Sequence, residues 1–175
     1  MREMLTGGEL DVLTGDYLAE LTMLILARDR MRDESLGYAK TFVRQLEDCL
    51  GTALERGVRI VANAGGLNPP GLAAAVRRLA ESLGLDVAVA HVAGDDLRPR
   101  AAELGLGEPL AANAYLGAFG IAACLQAGAQ VVVTGRVTDA SLVVGPAIAH
   151  YGWAPCDLDA LAGAVVAGHV IECGP

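Results

Sequence analysis

Short apolar runs alternate with longer amphipathic stretches along the chain, and glycine, asparagine or proline marks most of the changes. Short runs of branched residues are typical of buried strands, whereas apolar residues three or four apart are typical of helices. Four such runs predict strands, at residues 10–13, 59–62, 86–92 and 130–134. Because these runs are almost continuously apolar, they predict an α/β fold with a mostly parallel sheet and helices on both faces.

Helices are predicted between these strands and after the last of them. The first helix runs from just after the first strand to about residue 29, and its expected inner face contains Leu18, Leu21, Leu24 and Ile25. Asn68 followed by Pro69 is typical of a helix start, and Gly84 is typical of a helix end. The remaining helical patterns cover residues 40–56, 110–127, 139–150 and 158–167.

The composition favours a folded acidic domain and excludes several classes of function. The chain has 175 residues, is 53% hydrophobic and carries 13 Lys and Arg against 21 Asp and Glu, for a net charge of -8. This length and apolar content predict one compact domain and exclude disorder. The negative charge argues against binding to nucleic acid or to acidic membranes, because both need clustered cations.

The lack of a recognisable signal peptide and the spacing of the cysteines predict a cytoplasmic protein with reduced thiols. The N-terminus lacks the basic flank and apolar core of a signal peptide. The most apolar stretch, residues 114–125, is shorter than the roughly 20 residues that a membrane-spanning helix needs. No CxxC pair occurs among the four cysteines, which we expect to be free: Cys49, Cys124, Cys156 and Cys173.

The first candidate site follows the first predicted strand, since ligands of open parallel sheets bind beyond the carboxyl ends of the strands. Asp16 and Glu20 lie four residues apart, and they share a helical face if the helix has already begun. They then form a catalytic acid and base or a pair of metal ligands. Alternatively, Asp16 caps the helix and Glu20 is a solvated acid of its first turn.

The second candidate site is the turn after the second predicted strand. Gly65 and Gly66 permit positive φ and close approach, so their amides are candidates for binding an anion at the start of the following helix. Asn63 and Asn68 flank them and are candidate substrate-binding residues. No P-loop or dinucleotide fingerprint is present, and an ordinary strand-to-helix turn explains the same pattern.

The third candidate site follows the last predicted strand. Arg136 is placed to hold a carboxylate or phosphate with two parallel hydrogen bonds. Asp139 is a candidate for proton transfer, and Thr138 and Ser141 offer hydroxyl groups to a substrate. The alternative is a structural ion pair between Arg136 and Asp139, with Thr138 capping the next helix.

Two further segments carry polar groups near apolar stretches. Asn113 and Tyr115 begin an otherwise apolar predicted helix, where a buried amide needs a protein partner or a ligand. Capping of that helix explains Asn113 equally well. Asp95 and Asp96 follow the third strand as either a solvated turn or another edge of the pocket.

The acidic candidates leave the presence of a metal open. Asp16, Glu20 and Asp139 offer the oxygen ligands that hard divalent cations prefer. His169 and Glu172 lie three residues apart and are able to share a proton or a metal as helical neighbours. Spacing alone does not choose between a magnesium ion and no metal.

Several strings of the chain resemble the acyclic terpene utilisation protein AtuA family. They occur in the family's order at residues 16–20, 63–69, 113–117, 134–141 and 168–174, so the resemblance runs across nearly the whole chain. Members of that family are longer at both ends, with a glycine-rich first strand and often a smaller ferredoxin-like domain. We therefore expect this chain to be an incomplete copy of a larger domain.

The resemblance implies a role in bacterial breakdown of acyclic terpenoids such as citronellol and geraniol, whose intermediates are branched acyl-CoA esters. It also implies a reaction class, the cleavage of a carbon–carbon bond in an intermediate like 3-hydroxy-3-methylglutaryl-CoA. The acyl-CoA is then a substrate and not a cofactor. No catalytic residue follows from the resemblance, so the candidate residues rest on their positions at strand ends.

The leading hypothesis is a cytoplasmic enzyme that acts on a small carboxylate or a branched acyl-CoA. Arg136 and the amides of Gly65 and Gly66 would hold anionic groups, and nearby carboxylates would transfer protons. A second hypothesis is a non-catalytic binding subunit that needs a partner chain or forms a homo-oligomer. A third is an inactive fragment that keeps the fold and lacks essential segments.

Overall fold

The computed structural model describes residues 1–173, and their fold is α/β with a wholly parallel sheet. The strands are β1 (Val12–Gly15), β2 (Arg59–Ala62), β3 (Val89–Val92) and β4 (Val131–Thr134). The α-helices are α1 (Arg2–Thr6), α2 (Glu20–Arg32), α3 (Lys40–Glu55), α4 (Pro69–Leu83), α5 (Phe119–Gln126), α6 (Ser141–Tyr151) and α7 (Leu158–Cys173). The four predicted strands are thus confirmed, although β1 lies two residues later than predicted and β3 begins three residues later.

Helices cover both faces of the sheet because alternate residues of each strand point to opposite sides. One core contains Leu13, Ile60 and Val131 and is closed by α3 and α4. The other core contains Val61 and Val132 and is closed by α5 and α6. The predicted two-sided parallel sheet is confirmed.

The strand order β1-β2-β4-β3 creates a crevice at the carboxyl ends of the strands. The chain leaves β2 through α4 on one face, reaches β3 at the edge of the sheet, and returns through α5 on the other face to β4. After β4 the chain continues into α6, which also packs on that second face. The connections after the neighbouring strands β2 and β4 therefore diverge to opposite faces. Ligands of open α/β sheets bind where neighbouring connections diverge in this way.

The predicted helix over residues 110–127 is wrong in its first half, since only α5 is helical. Residues 110–118 form a loop that is tied to the segment after β4. The amide of Leu116 donates to the carbonyl of Arg136 at 3.2 Å, and the amide of Thr138 donates to the carbonyl of Leu116 at 2.9 Å. These long-range bonds replace the bonds of a helix, and the apolar composition of a half-buried loop resembles that of a buried helix.

The predicted inner face of the first helix is also wrong. The chain stays extended until Ala19, so α2 begins only at Glu20. This helix buries Met23, Leu26 and Ala27. Leu18 is buried as predicted but precedes the helix, and three predicted residues are exposed instead, namely Leu21, Leu24 and Ile25.

The predictions about free cysteines and membrane-spanning helices can be compared with the structure over the described residues. Cys49, Cys124 and Cys156 are free thiols, as predicted, whereas the side chain of Cys173 lies outside the described part. Gly174, the last residue of the family-like string at 168–174, also lies outside it. Across residues 1–173, none of the helices combines the length and the apolar character that crossing a membrane requires.

Helix α4 begins as predicted, with Asn68 as its N-cap and Pro69 in its first turn. The Asn68 side-chain oxygen accepts a hydrogen bond from the amide of Gly71 at 3.0 Å. Its amide nitrogen donates to the carbonyls of Ser35 and Leu36 at 3.1 and 3.0 Å, which ties the loop before α3 to α4. The side chain of Asn68 is therefore used within the fold.

We expect Asn68→Ala to lower the free energy of unfolding by about 2 kcal/mol, because the helix cap and the loop bonds are both lost. Asn68→Ser keeps a capping oxygen but loses the amide donors, and should cost about half as much. Urea unfolding of the three proteins measures both effects. Equal losses in the two variants would show that the loop bonds alone matter.

Candidate functional site

Arg136 lies two residues after the end of β4 and is almost buried at the carboxyl end of the sheet, with 6% of its surface exposed. Its Nη1 donates to the carbonyl of Leu18 at 2.7 Å. Its Nη2 donates to Glu20 Oε1 at 3.1 Å and to the hydroxyl of Tyr115 at 2.5 Å. The guanidinium carbon also lies 4.4 Å from the centre of the Tyr115 ring. Contacts from two distant segments, residues 18–20 and Tyr115, therefore hold the cation in one position.

Asp95 anchors the backbone of this region. It is 3% exposed, and its Oδ2 accepts hydrogen bonds from the amide of Arg136 at 2.8 Å and from Asn113 Nδ2 at 2.9 Å. The carboxylate fits because Gly135 has no side chain: a Cβ there would lie 2.3 Å from Asp95 Oδ2. Of the two interpretations of Asp95, a solvated turn is wrong, because the carboxylate joins the segment after β4 to the loop that carries Asn113.

An open pocket of about 440 Å³ lies beside Arg136, and we call it the arginine pocket. Its polar lining is Glu20, Asn113, Tyr115 and Arg136. Its apolar lining is Met23, Leu24, Leu110 and Ala111. Four residues predicted as candidates from three separate segments thus meet in one place. The combination of one fixed cation with an apolar wall suits an anion that carries a hydrocarbon chain.

Glu20 is the counterion of Arg136 in this pocket. Its position in the first turn of α2 provides a backbone hydrogen bond, which lowers the pKa of Glu20, and the hydroxyl of Tyr115 and the charge of Arg136 lower it further. Glu20 is therefore ionised at neutral pH. The predicted ion pair between Arg136 and Asp139 is wrong, because Glu20 takes that place at 3.1 Å.

A second group, which we call the acid cluster, consists of Asp16, Asp139 and Glu172. One carboxylate oxygen from each residue lies within 4.8 Å of the other two. Asp16 follows β1, Asp139 precedes α6, and Glu172 lies in the last turn of α7. The association of Glu172 with His169 stays a prediction. His169 Nδ1 lies 3.0 Å from the carbonyl of Val165, and Glu172 contributes an oxygen to the acid cluster.

Asp139 places a buried carboxylate oxygen in the acid cluster. Its Oδ1 is buried and has no hydrogen-bond partner among the described residues. Burial raises the pKa of Asp139, and the negative charge of Asp16 raises it further. The charges of Arg136 and Glu20 also act on Asp139, so the acid cluster and the arginine pocket influence each other. Clustered carboxylates of this kind are suited to holding a proton or a hard cation.

Asp16 and Glu20 do not form the predicted pair on one helical face, because α2 begins only at Glu20. Asp16 joins the acid cluster and Glu20 joins the arginine pocket. Asp16 does not cap α2 either, since the N-cap is Ala19. Its Oδ1 accepts bonds from the amide of Leu18 at 2.9 Å and from Asn63 Nδ2 at 2.6 Å. Asn63, which is fully buried, therefore positions Asp16.

The amides of Gly65 and Gly66 are occupied within the turn after β2. Gly65 donates to the carbonyl of Thr134 at 2.9 Å, and Gly66 donates to the carbonyl of Asn63 at 3.2 Å. Both positions require glycine, for different reasons. A Cβ on Gly65 would lie 2.5 Å from the Thr134 oxygen, and Gly66 has a φ of 52°, which other residues rarely adopt. The anion site predicted at these amides therefore has no free donor.

Thr138 and Ser141 bond to each other at the start of α6. Their hydroxyl oxygens are 2.5 Å apart, and the amide of Ser141 donates to the carbonyl of Thr138 at 2.7 Å. Thr138 does not cap the helix, whose N-cap is Ala140 and has no side-chain bond. Ser141 is 3% exposed, which leaves the exposed Thr138 as the hydroxyl nearer to solvent.

The fold and these sites define a class of protein: an α/β domain with a parallel sheet whose strand ends carry an arginine pocket and an acid cluster. The model of the family described as acyclic terpene utilisation family protein AtuA matches residues 1–175. The chain therefore belongs to the AtuA family, as the resemblance of its sequence strings indicated. No curated protein and no solved structure matches the chain.

Proposed function

We propose that this chain is an enzyme of acyclic terpenoid breakdown that binds a small carboxylate or a branched acyl-CoA in the arginine pocket. The observation that carries the proposal is Arg136, a buried guanidinium held by Leu18 and Tyr115 at the edge of an open pocket of about 440 Å³. A volume of this size suits a small organic ligand. A fixed guanidinium supplies an anion site without loss of side-chain entropy on binding.

The reaction that suits these groups is cleavage of a carbon–carbon bond next to a hydroxyl group. A carboxylate of the acid cluster takes the proton of the hydroxyl, a carbonyl forms at that carbon, and the bond to the neighbouring carbon breaks. The electron pair of that bond moves onto the released acetyl fragment as an enolate, which then takes up a proton. Asp139 and Asp16 are the proposed proton-transfer residues, because their carboxylates lie within 4.8 Å of each other.

An adjoining groove favours an acyl-CoA over a free acid. It has a volume of about 440 Å³, shares Leu110 with the arginine pocket, and is lined by Arg30 and Arg98, the second of which pairs with Asp96. Positive side chains in a groove that adjoins the acyl site suit the phosphate groups of a CoA ester. Glu34 also lines the groove and reduces its net charge.

A thermal-shift screen tests the proposal, with acyl-CoA esters, branched dicarboxylates and divalent cations as ligands. A ligand at one hundred times its dissociation constant adds about 2.7 kcal/mol of stability, which for a chain of this size is a shift of roughly 5–10 °C. We expect Arg136→Ala to abolish the shift. The exposed Arg44→Ala variant on α3 serves as the matched control and should keep it.

The contrary result is equally clear. If a cooperatively melting protein shows no shift with any ligand, or if Arg136→Ala shifts as much as the unmodified chain, the arginine pocket is not the substrate site.

A second candidate function, a binding subunit that works with another chain, is favoured by helix α7. A helix that is apolar all round is normally buried, yet α7 exposes large side chains at Leu158, Val165, Val166, Val170 and Ile171. A partner chain or a second copy would cover this face. The two functions separate by turnover, because a binding subunit retains ligand affinity and has no activity of its own.

A further inference from the structure

We infer that Glu20 occupies the position in which a ligand's own carboxylate binds, so that the ligand enters the arginine pocket by exchanging one carboxylate for another. The ligand class is then a carboxylate that carries a short apolar chain. The inference rests on the proposed function, since it concerns the same pocket, and it adds the group that is recognised and the residue that competes for it.

The two partners of the ion pair differ in how firmly they are held. The side chain of Arg136 is 8% exposed and is fixed by Leu18 and Tyr115, whereas the side chain of Glu20 is 85% exposed. An exposed glutamate leaves an ion pair for water at little cost. The cation therefore stays in place when Glu20 swings away.

The donors that hold Glu20 are already arranged for a carboxylate. Arg136 Nη2 donates to the hydroxyl of Tyr115 and to Glu20 Oε1, and the Tyr115 hydroxyl donates to the same Oε1 at 3.1 Å. An incoming carboxylate oxygen at this point receives the same two bonds. No rearrangement of Arg136 or Tyr115 is needed, and Glu20 becomes solvated in exchange.

The wall next to this position selects what the carboxylate carries. Met23 belongs to the core cluster around α2, Ala111 packs against that cluster, and the exposed Leu24 and Leu110 also line the pocket. A branched hydrocarbon chain attached to the carboxylate removes these surfaces from water. A bare anion such as acetate gains nothing from them.

The experiment measures binding of isovalerate, a carboxylate with a branched chain, by calorimetry at low salt. Acetate supplies the carboxylate without the chain, and 3-methyl-1-butanol supplies the chain without the carboxylate. Neutralising the competitor in Glu20→Gln should raise the affinity for isovalerate about fivefold, and Glu20→Ala should act in the same direction. Glu81→Gln, at an exposed position on α4, is the matched control and should leave the affinity unchanged.

The outcomes separate the inference from the proposed function. If isovalerate binds the unmodified chain, Arg136→Ala loses it, and neither Glu20 variant binds it more tightly, then Glu20 does not compete for the site and the inference is wrong while the pocket stands. If Arg136→Ala binds isovalerate as well as the unmodified chain, or if isovalerate does not bind the unmodified chain, the inference is wrong. The proposed function fails as well only if the thermal-shift screen finds no acyl-CoA or dicarboxylate whose binding depends on Arg136. Tighter binding of the alcohol than of isovalerate would also overturn the carboxylate assignment.

Discussion

Replacing Asp139 by asparagine is expected to lower turnover roughly 10²–10⁴-fold and, at neutral pH, to raise the stability of the protein. The carboxylate has a buried Oδ1 without a hydrogen-bond partner among the described residues, and Asp16 lies beside it. Burial first, and then the charge of Asp16, raise the pKa of Asp139. The ionised form is therefore less stable in the folded chain than in the unfolded chain. Asparagine has the same shape without the charge.

The pH dependence of this gain has a definite sign. Below the unfolded pKa of an aspartate, about 3.9, Asp139 is protonated in both states, and the stability that comes from its raised pKa is fully present. As the pH rises through the raised folded pKa, the unmodified chain loses that stability. The advantage of Asp139→Asn should therefore be absent in acid and full at neutral pH, at about 1 kcal/mol or roughly 2–4 °C.

Thermal melting between pH 3 and 8 measures the stability of the variant, and an assay of acyl-CoA cleavage measures its turnover. General acid–base catalysis contributes roughly 10²–10⁴-fold in rate, so a loss of that size is expected. Asp86→Asn, at an exposed position before β3, is the control for removing a carboxylate and should change neither quantity. A lower melting temperature at pH 7 would show that Asp139 stabilises the fold, and retained turnover would exclude it from proton transfer.

The second large effect is expected from Gly135→Ala. The new methyl group would lie 2.3 Å from Asp95 Oδ2 and 2.7 Å from its Cγ, which is too close for any contact. Asp95 must then move away from the amide of Arg136 and from Asn113. We expect a loss of about 3 kcal/mol, or roughly 6–12 °C in melting temperature, together with loss of ligand binding.

Two comparisons test whether the contact with Asp95 causes this loss. Gly117→Ala adds the same methyl group in the neighbouring loop, where nothing lies within 4 Å, and should be nearly neutral. In an Asp95→Ala background the space beside residue 135 is open, so Gly135→Ala should add less than about 0.5 kcal/mol. Additive losses in the double variant would place the cause elsewhere.

Local pattern was sufficient to predict most of the architecture. The branched run that forms β4 is buried at every position, and the Asn68–Pro69 pair begins α4 at the predicted residue. Hydrophobic periodicity and helix caps depend on side chains a few residues apart, so a single sequence is enough to predict them. The same logic placed Arg136 and Asp139 beyond a strand end, where a parallel sheet binds its ligands.

The hydrogen-bond and ion-pair partners of Arg136 and Asp139 could not be predicted from local pattern. Glu20 and Arg136 are 116 residues apart, and Asp95 and Arg136 are 41 residues apart. Such contacts depend on the strand order, and on the loop over residues 110–118 that the pattern predicts as a helix. A half-buried loop and a buried helix have the same apolar composition, and only the long-range bonds of Leu116 distinguish them.

The sequence by itself therefore determined the parallel sheet, its helical layers and the strand ends at which polar residues gather, because these follow from local periodicity and burial. The tertiary structure decided that Asp16 faces Asp139 and Glu172 while Glu20 faces Arg136. It also decided that Asp95 is a buried anchor and that the amides of Gly65 and Gly66 serve the fold. The physical reason is that the chain stays extended up to Ala19, so α2 begins only at Glu20. Asp16 and Glu20, four residues apart, therefore lie on different segments and contact different partners.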